Sequence, residues 1–277
     1  MSEIRRLLKR SRPRFWLYLA GPVIVGVAYG AASVGDLFAP TAVALFAYFL
    51  LPANVFLYGI NDVFDAEIDR ENPKKDEHEV RYEGSRLAVV AVGVSALLGA
   101  LLLAVLPAVA VPYMAAFLVL GAAYSAPPVR FKTRPFLDSL SNGLYVLPGA
   151  AAYAALAGTH PPTLALVGGW LWTMAMHTFS AIPDIEPDRR AGIRTTATVL
   201  GESKTLAYCA GCWLLAAGAF GVLDWRASLL LLVYPALVVA IRTADVAVER
   251  AYWWYPAVNA VVGIVLTMGG LWGMVYA

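Results

Sequence analysis

Long apolar runs separated by short polar or charged connections dominate the chain from residue 15 onwards. An α-helix needs about 20 mostly apolar residues to cross the hydrocarbon core of a bilayer. The pattern therefore predicts an all-α, multi-pass membrane protein with about nine transmembrane helices in a single domain, residues 1–277. The predicted spans are 15–34, 38–60, 87–105, 109–126, 139–157, 163–183, 205–223, 227–241 and 255–276.

The composition supports this interpretation, since 60% of the residues are hydrophobic and only 14% are charged. A soluble domain carries roughly 25% charged residues. No Asp, Glu, Lys or Arg falls within the predicted spans. The net charge of +2 is small, and no basic run is interleaved with aromatic residues, so nucleic acid is not an expected partner.

The positions of lysine and arginine indicate which helix ends face the cytoplasm, because cytoplasmic loops retain basic residues. With the N-terminus inside, all but one of the 21 basic residues fall on the cytoplasmic side, and Arg226 is the exception. The first apolar run is too long for the core of a signal peptide. The sequence thus predicts a protein of the cell membrane whose longer, chemistry-bearing connections face the cytoplasm.

The stretch GINDVFDAEIDRENPKK, residues 59–75, places carboxylates directly behind the second predicted span. If the helix continues, Asp62, Asp65 and Asp69 lie along one face, since they are spaced i, i+3 and i+7. The same side of the helix carries two amides, Asn54 and Asn61. Three carboxylates on one stripe repel one another unless cations hold them. The alternative is a solvated helix end that pairs with the basic residues that follow it.

A second acidic segment, SAIPDIEPDRRAG, follows the sixth predicted span on the same membrane face. It places Asp184 four residues before Asp188, although Pro183 and Pro187 argue against a continuous helix. Two carboxylate clusters favour Mg²⁺, which prefers carboxylates together with phosphate oxygens and water. Zinc is disfavoured, because neither segment contains histidine or cysteine. The implied ligand is a diphosphate bridged by Mg²⁺.

The segment YSAPPVRFKTRP, residues 124–135, supplies basic groups for such an anion. Basic residues at these places also satisfy the positive-inside rule by themselves. As a set beside two acidic stripes, they favour phosphate binding. The candidate diphosphate-binding residues are Asn54, Tyr124, Arg130, Lys132, Arg134 and Arg189.

At these motifs the sequence resembles the UbiA-type intramembrane prenyltransferases. The motifs read Asn61-Asp62-x-x-Asp65-x-x-x-Asp69 and Asp184-x-x-x-Asp188-x-x-x-Gly192. The segment 124–135 is similar to the family's tyrosine and basic loop, whereas Arg189 stands where the family often has lysine. The resemblance covers the whole chain and implies a helical bundle around a cavity that opens laterally to lipid.

The resemblance also implies that Mg²⁺ binds the diphosphate of an isoprenoid donor. Metal and basic side chains would stabilise the departing pyrophosphate, and a dry aromatic cavity would shield the allylic cation from water. The expected metal ligands are Asn61, Asp62, Asp65, Asp69, Asp184 and Asp188. The candidate lining residues are Tyr58, Tyr145 and Trp172, and the catalytic candidates are Asp69, Asp188 and His177.

Residues 11–22, 59–75 and 177–201 look most like the lycopene elongase branch of that family. That branch implies dimethylallyl diphosphate as the donor and lycopene as the lipophilic acceptor. Rival hypotheses are a quinone precursor or an ether lipid as acceptor, a membrane transporter, and a structural scaffold. Transport is disfavoured because the charges cluster at helix ends rather than near the middle of the membrane.

His177 is the one histidine within a predicted span, seven residues before Asp184 and on the same helix face. It is a candidate to accept a proton from the cation that forms after acceptor attack, or to direct water to it. The alternative is a histidine that is hydrogen-bonded between helices.

Overall fold

The structure, a computed structural model, describes residues 7–9, 11–65 and 84–276. Within these ranges every regular element is helical, which confirms the all-α class. The α-helices are α1 (Trp16–Gly30), α2 (Pro40–Leu50), α3 (Pro52–Asp65), α4 (Arg86–Val105), α5 (Val111–Ser125), α6 (Leu137–Ser141), α7 (Leu147–Ala157), α8 (Thr163–Ser180), α9 (Ile185–Arg190), α10 (Thr196–Leu200), α11 (Glu202–Leu223), α12 (Trp225–Leu231), α13 (Val233–Thr243) and α14 (Val248–Tyr276). Five short 3₁₀ turns occur at Pro13–Phe15, Val34–Phe38, Phe131–Thr133, Asn142–Val146 and Ile182–Asp184.

Several of these helices match predicted membrane spans in place and character. Among the described residues, five helical stretches are long and apolar enough to cross a membrane. They are Pro40–Phe64, Arg86–Val105, Glu202–Leu223, Trp225–Thr243 and Val248–Met274. Helix α5 is also apolar but shorter. The multi-pass character is therefore confirmed, whereas the count of nine spans is not.

The fifth predicted span, 139–157, is not one continuous helix. Helix α6 ends at Ser141, the turn Asn142–Val146 follows, and α7 begins at Leu147. Ser141 Oγ donates to Leu137 O at 2.6 Å and Asn142 Nδ2 donates to Asp138 O at 2.6 Å. These side chains compete with the main-chain donors of the next turn, which favours a break.

The chain divides into two compact units. The first unit comprises Met1–Arg130, Leu147–His160 and Gly270–Ala277, and the second comprises Phe131–Val146 and Pro161–Gly269. Two compact units can belong to one functional domain, so the single domain spanning residues 1–277 stays a prediction.

In the first unit, α1 and α7 pack through glycines that let their backbones touch. A Cβ on Gly26 would collide with Gly149 O, and one on Gly30 would lie 2.8 Å from Tyr153 O. The reciprocal position, Gly149, would meet Pro22 O at 2.6 Å. The spacing Gly26-x-x-x-Gly30 is the small-residue pattern that allows close helix packing in membranes.

In the second unit, large aromatic side chains fill the core between α8, α11, α13 and α14. Trp213, Tyr234, Tyr255 and Phe179 are at most 1% exposed. Trp213 stacks on Tyr234 with ring centroids 5.3 Å apart, and Phe179 stacks on Tyr255 at 4.4 Å. The free cysteines of α11, Cys209 and Cys212, are buried in the same core.

Candidate active site

The first acidic motif begins on α3, as the spacing predicted. Helix α3 carries Asn61 and Asp62 and ends at Asp65. Ser125 Oγ donates to Asn61 Oδ1 at 3.1 Å, which ties the motif to the end of α5. The Asp65 side chain and Asp69 lie outside the described residues, so the predicted stripe is described only for its first members.

Asp62 is a buried carboxylate beside a cation. Asp62 is only 4% exposed, and Arg12 Nη2 lies 3.9 Å from its Oδ1 atom. The Arg12 guanidinium also covers the Tyr58 ring at 4.7 Å, which is a cation–π contact. A small pocket beside this group is lined by Leu7, Ser11, Val55, Gly59, Asp62, Ala88 and Val92.

Asn54 lies at the junction of α2 and α3 and is fully buried. Its Nδ2 donates to Phe49 O and Leu50 O, both at 3.0 Å. These bonds satisfy carbonyls at the C-terminal end of α2. Its role at the helix junction is therefore visible in the structure, while diphosphate binding by its Oδ1 stays a prediction.

The second acidic motif occupies a break after α8, in agreement with the two prolines. Helix α8 ends at Ser180, Asp184 closes a 3₁₀ turn, and Asp188 lies on the short helix α9. Both aspartates are partly exposed. Gly192 follows with a φ of 70°, which L-residues rarely adopt, and the chain turns there towards α10.

Arg189 connects this motif to the segment that follows it. Its Nη1 donates to Glu186 Oε1 at 2.8 Å, and its Nη2 donates to Thr198 O at 3.0 Å. The planar guanidinium reaches both partners at once, which a lysine ammonium does less readily. This bracing role for Arg189 was not anticipated from the sequence, and its predicted contact with diphosphate stays a prediction.

The basic segment 124–135 turns sharply between α5 and α6. Arg130 has a φ of 43°, and Phe131–Thr133 forms a 3₁₀ turn. Tyr124, Arg130 and Lys132 are partly exposed and Arg134 is exposed. Tyr124 and Arg130 belong to the first unit, whereas Lys132 and Arg134 belong to the second.

Asp138 was not singled out from the sequence, yet it is the centre of a buried network in the second unit. It is 1% exposed and accepts from Thr196 N at 2.9 Å and from Thr196 Oγ1. Thr196 Oγ1 in turn accepts from Phe136 N at 2.7 Å. The network fastens the segment after the second motif to the segment that carries Lys132. The only sequence signal was one acid immediately before a predicted span.

His177 lies on α8, partly exposed, where the sequence placed it. It interacts electrostatically with the Asp138 carboxylate. At the next residue, Thr178 Oγ1 donates to Ser139 Oγ at 2.7 Å, and Ser139 Oγ lies 2.9 Å from Tyr208 OH. His177 therefore stands beside a polar network that continues through α6 and α11.

The predicted lining residues have different surroundings. Tyr58 lies under Arg12 in the first unit. Tyr145 lies in the 3₁₀ turn before α7 and is partly exposed. Trp172 contacts Tyr234 edge to face, with centroids 5.6 Å apart, at the border of the aromatic core.

The comparison with known families identifies the class of this protein. A family model described as the UbiA prenyltransferase family matches residues 19–255. The chain belongs to the UbiA prenyltransferase family. It is therefore an enzyme of the prenyltransferase class from a family of integral membrane proteins.

Two relatives of this UbiA prenyltransferase are similar along nearly their whole lengths. The lycopene elongase/hydratase of Halobacterium salinarum is 65% identical over 272 residues, which cover 98% of this chain and 99% of the relative. The lycopene elongase/hydratase of Haloferax volcanii is 63% identical over 265 residues, covering 96% and 88% respectively. Both relatives support the resemblance to the lycopene elongase branch.

A solved structure confirms the UbiA fold. The UbiA homolog from Archaeoglobus fulgidus bound to DMAPP and Mg²⁺ superposes with a TM-score of 0.78 at 19% identity. The alignment covers 96% of this chain and 99% of that one.

The motif residues of this UbiA prenyltransferase offer oxygen donors suited to Mg²⁺. Asp62, Asp184 and Asp188 supply carboxylates and Asn61 an amide oxygen, which is the hard donor set that Mg²⁺ prefers. In residues 7–9, 11–65 and 84–276, no three carboxylate, histidine or cysteine ligands gather in one place. The set is chemically suitable, and its assembly around a metal stays a prediction.

Proposed function

We propose that this prenyltransferase moves the five-carbon unit of dimethylallyl diphosphate to lycopene in a Mg²⁺-dependent reaction, and that water addition accompanies the transfer. The observation that carries the proposal is the identity of 65% and 63% to two nearly full-length relatives named lycopene elongase/hydratase. The DMAPP and Mg²⁺ bound to the Archaeoglobus fulgidus homolog support the donor and the metal.

The residues of both motifs would hold Mg²⁺ and, through it, the donor diphosphate: Asn61, Asp62, Asp65, Asp69, Asp184 and Asp188. Bound Mg²⁺ supplies positive charge that offsets the charge of the diphosphate. The remaining phosphate oxygens would be bound by the Tyr124 hydroxyl and by the cationic side chains Arg130, Lys132, Arg134 and Arg189. They stabilise the negative charge that develops as the C–O bond to the allylic carbon breaks.

The aromatic residues Tyr58, Tyr145 and Trp172 would stabilise the allylic cation and exclude water from it. The terminal double bond of lycopene then forms a C–C bond to the allylic carbon and becomes a tertiary cation. In the branch of the reaction that ends by proton loss, His177 accepts the proton, with Asp138 stabilising the charged imidazole.

The decisive experiment uses the protein in detergent or nanodiscs with Mg²⁺, dimethylallyl diphosphate and lycopene, with a quinone precursor and an ether lipid offered in parallel. We expect elongated lycopene by mass spectrometry, its loss with EDTA and its recovery with added Mg²⁺. Transfer to another acceptor would contradict the assignment of lycopene as the acceptor and would still support prenyl transfer. Transfer to none of them would contradict the proposal.

Substitutions of two proposed metal ligands test the assignment of the Mg²⁺ site. Asp62→Asn and Asp184→Asn are expected to lower the rate about 100-fold or more, whereas Asp224→Asn, at an exposed helix cap, retains the wild-type rate. Mg²⁺ with inorganic pyrophosphate should raise the thermal midpoint of the wild type and not of the Asp184 variant. An equal rise in both proteins would contradict the ligand role of Asp184.

We also propose that the N-terminus and both motifs face the cytoplasm. Glu202 is exposed at the start of α11, Arg226 is exposed at the start of α12 just after α11 ends, and the two native cysteines are buried. In intact cells, an impermeant maleimide is expected to label Arg226→Cys and to leave Glu202→Cys unlabelled. The reverse pattern would contradict this orientation.

A further inference from the structure

Four buried polar atoms that have no hydrogen-bond partner among the described residues belong to side chains in or beside the aromatic core of the second unit. They are Trp172 Nε1, Trp213 Nε1, Tyr255 OH and Asn259 Nδ2. The helices that carry them are α8, α11 and α14. No bulk water reaches the hydrocarbon core of a bilayer, so each such group costs free energy unless something binds it.

The rings hold these atoms in place. Trp213 lies against Tyr234 at 5.3 Å and against Tyr255 at 5.9 Å, with the rings inclined by 26° and 24°. Trp172 packs edge to face on Tyr234 at 5.6 Å. An indole stacked in this way cannot turn its N–H elsewhere without breaking the stack. The donors therefore point to fixed positions in the core.

Tyr234 and Asn259 fix the orientation of one further donor. Tyr234 OH donates to Asn259 Oδ1 at 2.9 Å, which directs the Asn259 amide nitrogen away from the tyrosine. Asn259 lies one helical turn after Tyr255 on α14, so both side chains lie on one face of that helix. This face brings an amide N–H₂ and a phenol O–H to the same part of the core.

The chemistry of the cluster selects its ligand. The indole and amide nitrogens only donate, and the Tyr255 hydroxyl both donates and accepts. A ligand for these atoms must carry lone pairs and be small enough to enter a core of packed rings. Water meets both conditions, and buried water typically makes about three hydrogen bonds to polar groups that lack other partners.

We infer that the cluster of Trp172, Trp213, Tyr255 and Asn259 binds a water molecule that adds to the tertiary cation of the elongated carotenoid. The inference rests on the proposed function, because the cation is the product of prenyl transfer. A lone pair of the water oxygen forms a C–O bond to the cationic carbon, and the proton released passes to the diphosphate anion that the transfer sets free.

The test compares products rather than rates. Tyr255→Phe removes only the hydroxyl, and Asn259→Leu removes only the amide at similar volume. Each is expected to lower the ratio of hydrated to non-hydrated elongated product about fivefold, the effect of one lost hydrogen bond. Consumption of lycopene should stay at the wild-type level. The matched control is Tyr276→Phe, on the same helix and 71% exposed, which keeps the wild-type ratio.

A thermal measurement separates a water site from an empty one. If nothing binds the Tyr255 hydroxyl, Tyr255→Phe removes an unsatisfied group and raises the thermal midpoint. If water binds there, the variant loses a hydrogen bond and the midpoint does not rise. A raised midpoint with an unchanged product ratio would overturn the inference.

Prenyl transfer and water addition are tested separately by the products of the wild-type protein. A wild-type protein that forms no elongated product contradicts the proposed function. A wild-type protein that elongates lycopene without ever adding water contradicts both the water site and the proposed water addition, and supports elongation alone. Oxygen from ¹⁸O-labelled water in the wild-type product, and its depletion in both core variants, would support the inference.

Discussion

The two units pack their helices in different ways, the first through glycines and the second through large aromatic side chains. Helices in a membrane gain little from burying apolar surface, because lipid is as apolar as the side chains. The first unit brings α1 and α7 together through Gly26, Gly30 and Gly149, so that backbone touches backbone. The second unit separates its helices with Phe179, Trp213, Tyr234 and Tyr255, whose rings fill the space.

The difference shows that the two kinds of helix packing are sensitive to different substitutions. A glycine contact has no room for even one added carbon atom, whereas an aromatic core has no tolerance for removed volume. Aromatic packing also buries indole and phenol polar atoms, which a glycine contact does not do. The aromatic core of the second unit therefore buries indole and phenol groups that can bind a ligand, whereas the buried polar groups of the first unit, such as Asn54 and Asp62, lie away from its glycine contacts.

The largest expected effect comes from removing the central ring of the second unit. Trp213→Ala should lower the free energy of unfolding by about 3–5 kcal/mol, because it leaves a large cavity among stacked rings. The measurement is unfolding in mixed micelles by titration with sodium dodecyl sulfate. Trp254→Ala, at a position 70% exposed, serves as the control with a small effect. An equal loss of unfolding free energy in the two variants would contradict the expectation that core rings stabilise the protein more than exposed rings do.

A smaller effect is expected from adding one carbon to the first unit. Gly26→Ala should lower the free energy of unfolding by about 1–3 kcal/mol, because the new Cβ meets the Gly149 carbonyl. On the same helix, Gly21 has nothing within 4 Å of an added Cβ, so Gly21→Ala should leave stability equal or higher. If the same titration gives similar values for the two variants, the close contact does not determine stability.

Thr196→Val tests the polar network that accompanies the aromatic core. It removes the hydroxyl that donates to Asp138 and accepts from Phe136 N, and should cost about 1 kcal/mol. Because this network fastens the segment after the second motif, we also expect a higher KM for the diphosphate donor with a smaller change in kcat. Thr267→Val, whose hydroxyl bonds only its own helix at Gly263 O, provides the comparison. A donor KM that is equal in both variants would leave the network without a role in the site.

The smallest effect is electrostatic and lies in the turn that joins α1 to α2. Hydrogen bonds from the Ser33 side chain and then from the Ser33 N–H lower the pKa of Asp36. The ionised form therefore stabilises the turn at pH values above its unfolded pKa of about 4, and this stabilisation is lost as the pH falls through the lower folded pKa. Asp36 is solvent-exposed, so screening keeps the effect small. The thermal midpoint of Asp36→Asn should fall below that of the wild type at about pH 6 and match it at about pH 2; a constant difference would assign the effect to another group.

The sequence predicted the helices well where apolar length alone decides. Arg86–Val105 and Glu202–Leu223 differ from their predicted spans by a few residues at most. The span 139–157 is not the single continuous helix that its hydropathy suggested, because Ser141 and Asn142 break the helix through bonds to carbonyls of the preceding turn. A hydropathy pattern contains no information about such bonds.

The site was predictable only as far as local spacing reaches. Asp62, Asp184 and Asp188 stand on the predicted elements because their motifs are local. Asp138 and Thr196 are 58 residues apart, and nothing in either segment signals their contact. The unsatisfied donors of the aromatic core could not be predicted from the sequence either. Whether a buried tryptophan has a hydrogen-bond partner depends on side chains that are distant in the sequence.

Helix α4 gives a depth scale for the buried carboxylate of the first motif. Its 20 residues span about 30 Å, the thickness of the hydrocarbon core. Gly59 of α3 packs on Val92, and Asp62 lines the same pocket as Ala88, two residues from the helix start at Arg86. Asp62 therefore lies only about 3 Å below the level at which α4 begins. A diphosphate held there stays at the polar boundary of the membrane, and only the hydrocarbon parts of the substrates need to enter its interior.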